Sequence, residues 1–340
     1  MMTAGDRGRM LYSIHFLRFI AATGVVVHHS DVLLRWNIVV GSAGVDLFFV
    51  ISGVVIGLST PPEMSIRDFL VRRFIRIFPL YWLALTAWVT YWFGNGGVLA
   101  LEDVVRSALL IPDLSRVWTP VYLPAWTLVF EIFFYAVFAA CMLSGRFARP
   151  LCCVVLAAVA LKFSQPGNPQ IYYGLAMLLS EFVAGMLIAT AIARGWVPGR
   201  TLGALMVGVA LIWFAVDATP TSMPREIYWG IPAVLLVFGM LGFERLDFFR
   251  SRVALFGGNA SYAIYLSHFI VLQAIFQIAT RHGFPAEQHR LILAAIAIPA
   301  ALALGGLLYV AVDKPLLSWL RRMLLHERHE RQRLVVFHST

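Results

Sequence analysis

Long apolar runs alternate with short polar, mostly basic connections, and that pattern predicts an all-α bundle of membrane helices. Ten segments approach or reach the ~20 apolar residues that a spanning helix needs: 11–34, 43–59, 74–93, 121–143, 151–164, 171–193, 201–217, 226–242, 255–279 and 291–312. The first of them, LYSIHFLRFIAATGVVVHHSDVLL, departs from a plain anchor because it holds Arg18 and the pair His28–His29 inside a span-length run. At ~100° per residue, Arg18 and His29 are separated by about three turns plus ~20°. They therefore share one stripe, ~16 Å apart along the axis. Ionisable groups within hydrocarbon are costly and mark functional positions.

Composition and charge sharpen this picture. Of 340 residues, 60% are hydrophobic, 14% aromatic and 13% charged, with mean hydropathy +0.79. Soluble domains average roughly 25% charged residues, so the chain reads as one multi-helix membrane domain, 1–318, followed by a basic tail, 319–340. With an inside N-terminus, nineteen Lys and Arg residues fall on the cytoplasmic side and six on the other. That asymmetry places both termini in the cytoplasm and accounts for the net charge of +9 without nucleic-acid binding. The short basic N-terminus and the long first run imply an uncleaved anchor. The tail, LLSWLRRMLLHERHERQRLVVFHST, is partly amphipathic and suited to the anionic inner leaflet. Cys141, Cys152 and Cys153 have no zinc spacing and read as buried thiols. HERHE at 326–330 misses the HExxH metal spacing by one residue, so no metal site is expected.

Several buried polar residues are candidates for chemistry. His29 suits general-base work on a hydroxyl, because an unperturbed imidazole titrates near neutrality. Arg18 suits an anion or a developing oxyanion; the alternative is a snorkelling Arg and an interfacial His. His28 points ~100° away from His29 and reads as a packing or hydrogen-bonding partner. Asp46, one turn into the second segment, could orient the imidazole, or it is an acid favoured by the helix start. Gly41, Gly44, Gly53 and Gly57 permit close helix contact. Arg72, Arg73 and Arg76 in SIRDFLVRRFIRIFPLYW match phosphate chemistry, or they are ordinary inside anchors; Arg72 and Arg76 are i and i+4. Pro79 follows inside the same helix. Glu131, near mid-membrane in YLPAWTLVFEIFFYAVF, would bind a polar substrate atom or pair with Arg18, or be structural. Glu181 in LLSEFVAGMLIA is a second intramembrane carboxylate. His268 in NASYAIYLSHF lines a polar cavity or satisfies a core hydrogen bond.

The segments LRFIAATGVVVHH, AGVDLFFVISGVVI, RRFIRIFPLYW, PAWTLVFEIFFY and NASYAIYLSH, in that order, resemble the membrane-bound acyltransferase family 3, and within it the exopolysaccharide-production O-acetyltransferases. They cover about the first 135 residues and a patch near 256–270. The resemblance implies a ten-helix fold in the bacterial inner membrane that moves an acyl group, usually acetyl, from cytosolic acetyl-CoA to a carbohydrate hydroxyl. It implies that Arg18 and His29 are the essential pair and that Arg72–Arg76 form the acyl-donor site. Glu131 matches a Trp-x-x-x-x-Glu signature that begins at Trp126. Where the family often has Glu before a proline, VDKPL here has Asp313.

Together these readings imply a CoA thioester as donor substrate, no resident cofactor, and a lipid-linked or polymeric glycan as acceptor partner within a lipid environment. The rival is a proton-coupled exporter of a glycan or lipid precursor, using the same buried groups as a relay. No internal repeat supports it.

Overall fold

The structure, a computed structural model, describes residues 11–34, 39–112, 119–163, 170–216, 226–285 and 288–325. The expected N-terminal extension and the far part of the tail, including HERHE, lie outside the described residues. Among the described residues the fold is helical without strands: α1 Tyr12–Leu34, α2 Ala43–Ser59, α3 Ile66–Gly94, α4 Leu101–Leu109, α5 Trp126–Cys141, α6 Ala148–Phe163, α7 Gln170–Ala193, α8 Arg200–Val216, α9 Ile231–Met240, α10 Arg252–Arg281, α11 Arg290–Leu308 and α12 Lys314–Leu325. Each of the ten expected segments is helical over most of its length. Five helical stretches are long and apolar enough to cross a membrane: Val39–Ser59, Ile66–Gly94, Leu123–Lys162, Arg252–Arg281 and Arg290–Leu325. Shorter apolar helices are Leu178–Ala193, Arg200–Val216 and Ile227–Phe243.

The differences from the sequence pattern have local causes. α3 begins eight residues before its apolar run because Ser65 caps it, its hydroxyl accepting from the Asp68 amide at 3.1 Å. The arginine cluster is therefore helical, and its side chains have fixed directions. α4, in the connection between the apolar segments 74–93 and 121–143, has two acids in its first turn and a left-handed Leu110 (φ 55°) at its end. The apolar runs at 226–242 and 291–312 each contain a π-helical turn, Glu226–Gly230 and Tyr309–Asp313. Such turns are frequent at functional sites; the second one carries Asp313.

Close helix contacts set the depth of the site residues. The first two amides of α1 and the Ser13 hydroxyl donate to the Glu244 carboxylate at 2.6, 2.9 and 2.6 Å. An acid at a helix start satisfies orphan amides and suits the dipole, so Glu244 fixes the level at which α1 enters the bundle. A Cβ on Gly44 would overlap the Ala21 carbonyl, and one on Gly53 the Phe182 carbonyl. α2 consequently lies tight against α1 on one side and α7 on the other. α1, α3 and α10 run in one direction: His15 Nε2 lies 3.3 Å from the Leu255 carbonyl, and the Tyr262 hydroxyl donates to the Ile77 carbonyl at 2.8 Å. α2 and α5 run against them. A large apolar core joins α2, α3, α5, α7 and α10, with Phe134 stacked on Phe182 at 3.9 Å.

Candidate active site

A cavity of about 90 Å³ opens between α1, α2, α3, α5 and α10. Its wall carries three guanidinium groups, Arg18, Arg73 and Arg76, against one carboxylate, Glu131. Glu131 is held by the Tyr135 hydroxyl and, at 3.4 Å, by the Ser52 hydroxyl. These contacts keep the carboxylate on the wall. Arg73 lies over the Phe69 and Tyr135 rings, 5.3 and 5.6 Å from their centroids, and donates to the Ser59 hydroxyl at 3.1 Å. Arg76 lies 5.0 Å over Tyr262 and reaches Asp313 at 3.8 Å, a long contact for an ion pair. The Nε atoms of Arg18 and Arg73 are buried without a hydrogen-bond partner. A low-dielectric wall with surplus positive charge and unused donors favours an anionic ligand.

His29 does not line this cavity. It stands further along α1, half-buried, with its Nδ1 3.0 Å from the Val25 carbonyl and 3.1 Å from Nε2 of His268 on α10. His268, fully buried, has its own Nδ1 2.6 Å from the Tyr265 carbonyl. A carbonyl only accepts, so His268 carries its proton on Nδ1 and presents a bare Nε2. His29 then donates from Nδ1, and its Nε2 is left with a lone pair. The backbone of two helices thus selects the tautomer that a general base needs.

Tyr265 touches both halves, lining the cavity with its side chain and facing His268 Nδ1 with its carbonyl. Its hydroxyl is tied to Thr127 at 2.7 Å and to the Pro124 carbonyl at 2.8 Å, and its ring lines the cavity. One turn later in the same helix comes His268, its ring centroid 5.9 Å from that of Tyr265. Arg18 and His29 both stand on α1, but Arg18 lines the charged cavity while His29 sits against His268.

The other expected residues divide. Arg73 and Arg76 line the cavity; Arg72 is exposed and turned away from it. Glu131 lines it, whereas Trp126, five residues earlier, packs edge-on against Phe130. Asp46 is fully buried near the start of α2, and the ring partner His29 uses is His268 instead. His28 packs edge-on against His29, with ring centroids 5.4 Å apart. Glu181 is buried on α7 beside Gly230, away from the cavity. Sequence reasoning missed Ser52, Thr127, Tyr135, Tyr262 and Tyr265 as wall residues. The i, i+4, i+8 spacing of Thr127, Glu131 and Tyr135 was the available signal.

Beyond the imidazole pair, at the opposite end of the bundle from Arg73 and Arg76, lies a hydrogen-bonded group of one phenol, two amides and a guanidinium. Tyr91 donates to Gln277 at 2.5 Å, and Gln277 and Arg281 donate to Asn95 at 2.7 and 2.9 Å. Tyr91, Gln277 and Arg281 border an open cavity of about 370 Å³ that also includes Gln273, five residues beyond His268 on α10.

A family model described as an acyltransferase domain, Acyl_transf_3, matches residues 11–310. The exopolysaccharide production protein ExoZ of Rhizobium meliloti is 32% identical over 310 residues, covering 86% of this chain and 94% of that one. The acyltransferase MdmB of Streptomyces mycarofaciens is 26% identical over 333 residues, covering 83% and 82%. A Staphylococcus aureus (strain COL) protein named provisionally as an O-acetyltransferase is 20% identical over 317 residues, 78% of this chain and 51% of its own. No solved structure matches. The chain is a multi-pass membrane protein of the Acyl_transf_3 acyltransferase family.

Proposed function

We propose that this protein is an O-acetyltransferase of the bacterial inner membrane that moves acetyl from cytosolic acetyl-CoA to a hydroxyl of a cell-surface or lipid-linked glycan, with His29 as general base. The observation that carries the reading is the pairing of two unlike compartments. On one side is a cationic cavity with unused guanidinium donors; on the other is an imidazole whose free Nε2 is fixed by its neighbours. The name of ExoZ supports an exopolysaccharide acceptor.

In this reading ten helices span the membrane, both termini are cytoplasmic, and the arginine end faces the cytosol. The donor diphosphate meets Arg73 and Arg76, and the pantetheine arm runs past Arg18 and Glu131 towards Tyr265. The thioester meets His29 past Tyr265, the cavity residue one turn before His268 on α10. The acceptor comes from the other end, where Tyr91, Gln273 and Gln277 offer hydroxyl and amide groups to a sugar. His29 Nε2 takes the hydroxyl proton as the oxygen attacks the thioester carbonyl. The tetrahedral adduct then collapses, the C–S bond breaks, and the departing sulfur takes the proton from His29 to leave as CoA thiol.

The test uses purified protein, labelled acetyl-CoA and exopolysaccharide from the producing cell, with thiol release and polymer label both followed. Removing a general base costs 10²–10⁴-fold, so His29→Ala should lose at least 100-fold in both readouts. Full acetylation by that variant overturns the reading. So does glycan movement across vesicles with no thioester consumed, which is the exporter's behaviour. Label trapped on His29 without acceptor would replace direct attack by a covalent acetyl-histidine route.

A further inference from the structure

At the arginine end a second cavity, of about 100 Å³, lies near the charged one. Two phenyl rings link them. Arg73 lies on Phe69, whose ring is 5.2 Å from Phe138, and Phe138 lines the second cavity. They are also joined at the end of α2, where successive residues hold one arginine from each side: Ser59 accepts from Arg73, and the Thr60 carbonyl accepts from Arg149 at 3.0 Å. The second cavity has two cations, Arg146 and Arg149, and no acid on its wall. Thr60 is 5% exposed, lines this cavity, and its hydroxyl is buried with no hydrogen-bond partner. The turn that brings Arg146 to the rim passes through Gly145 (φ 58°). An orphaned buried hydroxyl beside two guanidiniums marks a place for a compact anion with several acceptor oxygens.

We infer that this cavity holds the 3′-phosphate of the CoA nucleotide, so that the protein selects CoA over phosphopantetheine carriers that lack that group. The inference rests on the donor reading above and deepens it. Arg73 and Arg76 take the diphosphate in the first cavity, and the chain of cations continues to Arg149 and Arg146 where the nucleotide end emerges. A carrier-linked phosphopantetheine would occupy the first cavity and leave the second without a ligand.

The experiment measures binding of CoA and of 3′-dephospho-CoA, without any acyl group, to the full chain in zwitterionic nanodiscs. Charge-assisted contacts to one phosphate predict that CoA binds at least about tenfold tighter than 3′-dephospho-CoA. Arg146→Ala, at an exposed position, and Thr60→Val should each shrink that ratio at least threefold, leaving the affinity for 3′-dephospho-CoA within twofold of wild type. Arg149→Ala should abolish the preference, and Arg149→Lys, which keeps a cation and a donor to the Thr60 carbonyl, should restore part of it. Equal wild-type affinity for the two ligands, with CoA still bound, overturns the inference and leaves the donor reading intact. A preference unchanged in both the Arg146 and Arg149 variants also overturns it. Failure of both ligands to bind overturns the donor reading together with it.

Discussion

His268→Ala isolates what the paired imidazoles contribute. The substitution removes the Nε2 that accepts from His29 Nδ1 at 3.1 Å and leaves the Val25 carbonyl as the ring's one remaining anchor. When His29 takes a proton it becomes a cation, and the lost contact is then a hydrogen bond to a charged group. Such bonds contribute about 1.5–3 kcal/mol, and each ~1.4 kcal/mol is tenfold. The turnover number should therefore fall by roughly 10- to 150-fold, with KM for acetyl-CoA changed less than about threefold because His268 does not line the donor cavity. His268→Gln, which retains a side-chain acceptor, should recover part of the loss. The assay is acceptor-dependent thiol release by purified protein, with thermal unfolding run in parallel because His268 is fully buried. A His268→Ala enzyme that keeps half its turnover while unfolding normally refutes the positioning role. So does a rise in donor KM that accounts for the whole defect.

Four further outcomes follow from the geometry. Arg73→Ala and Arg76→Ala should each raise KM for acetyl-CoA about tenfold or more, whereas Arg72→Ala, at an exposed position outside the cavity, should change it less than twofold; steady-state kinetics distinguishes the two. Gly44→Leu forces a side chain into the Ala21 carbonyl and should destabilise by at least 1–3 kcal/mol, read as a lower unfolding temperature in detergent. Glu244→Ala strips the acceptor from three donors at the start of α1 and should lower stability by about 1–3 kcal/mol, with Glu244→Asp recovering some of it. Gln273→Leu should raise KM for the glycan and leave KM for acetyl-CoA unchanged, measured with each substrate varied in turn.

The helical spans were legible because burial in lipid writes itself along the chain as continuous apolar length. The boundaries were less so where a cap overrides hydropathy. Ser65 starts α3 well before its apolar run, which puts the arginines inside the helix. Spacing alone puts Arg72 and Arg76 on one face, one turn apart. The cavity takes Arg73 and Arg76 instead, since the helix packs through Phe69, Ile77 and Tyr81, all buried, and that packing turns Arg72 outward. Nothing in the local pattern separates the two choices; only the orientation of α3 in the bundle does.

The partner of His29 was hidden for a deeper reason. A single helix states which residues share its stripe but not what faces that stripe, and the residue facing His29 lies 239 positions away on α10. The two helices are parallel, and their register is set by contacts far from the histidines: His15 against Leu255 and Gly258, and Glu244 at the start of α1. A shift of one residue along α10 turns a side chain by ~100° and would take His268 out of reach. The sequence marked both imidazoles as costly in lipid and so worth explaining, yet it offered Asp46, one turn into the second apolar segment, as the orienting group. Among the described contacts the fold supplies a relay of acceptors, the Tyr265 carbonyl for His268 and His268 for His29, with the Val25 carbonyl accepting from the same His29 nitrogen.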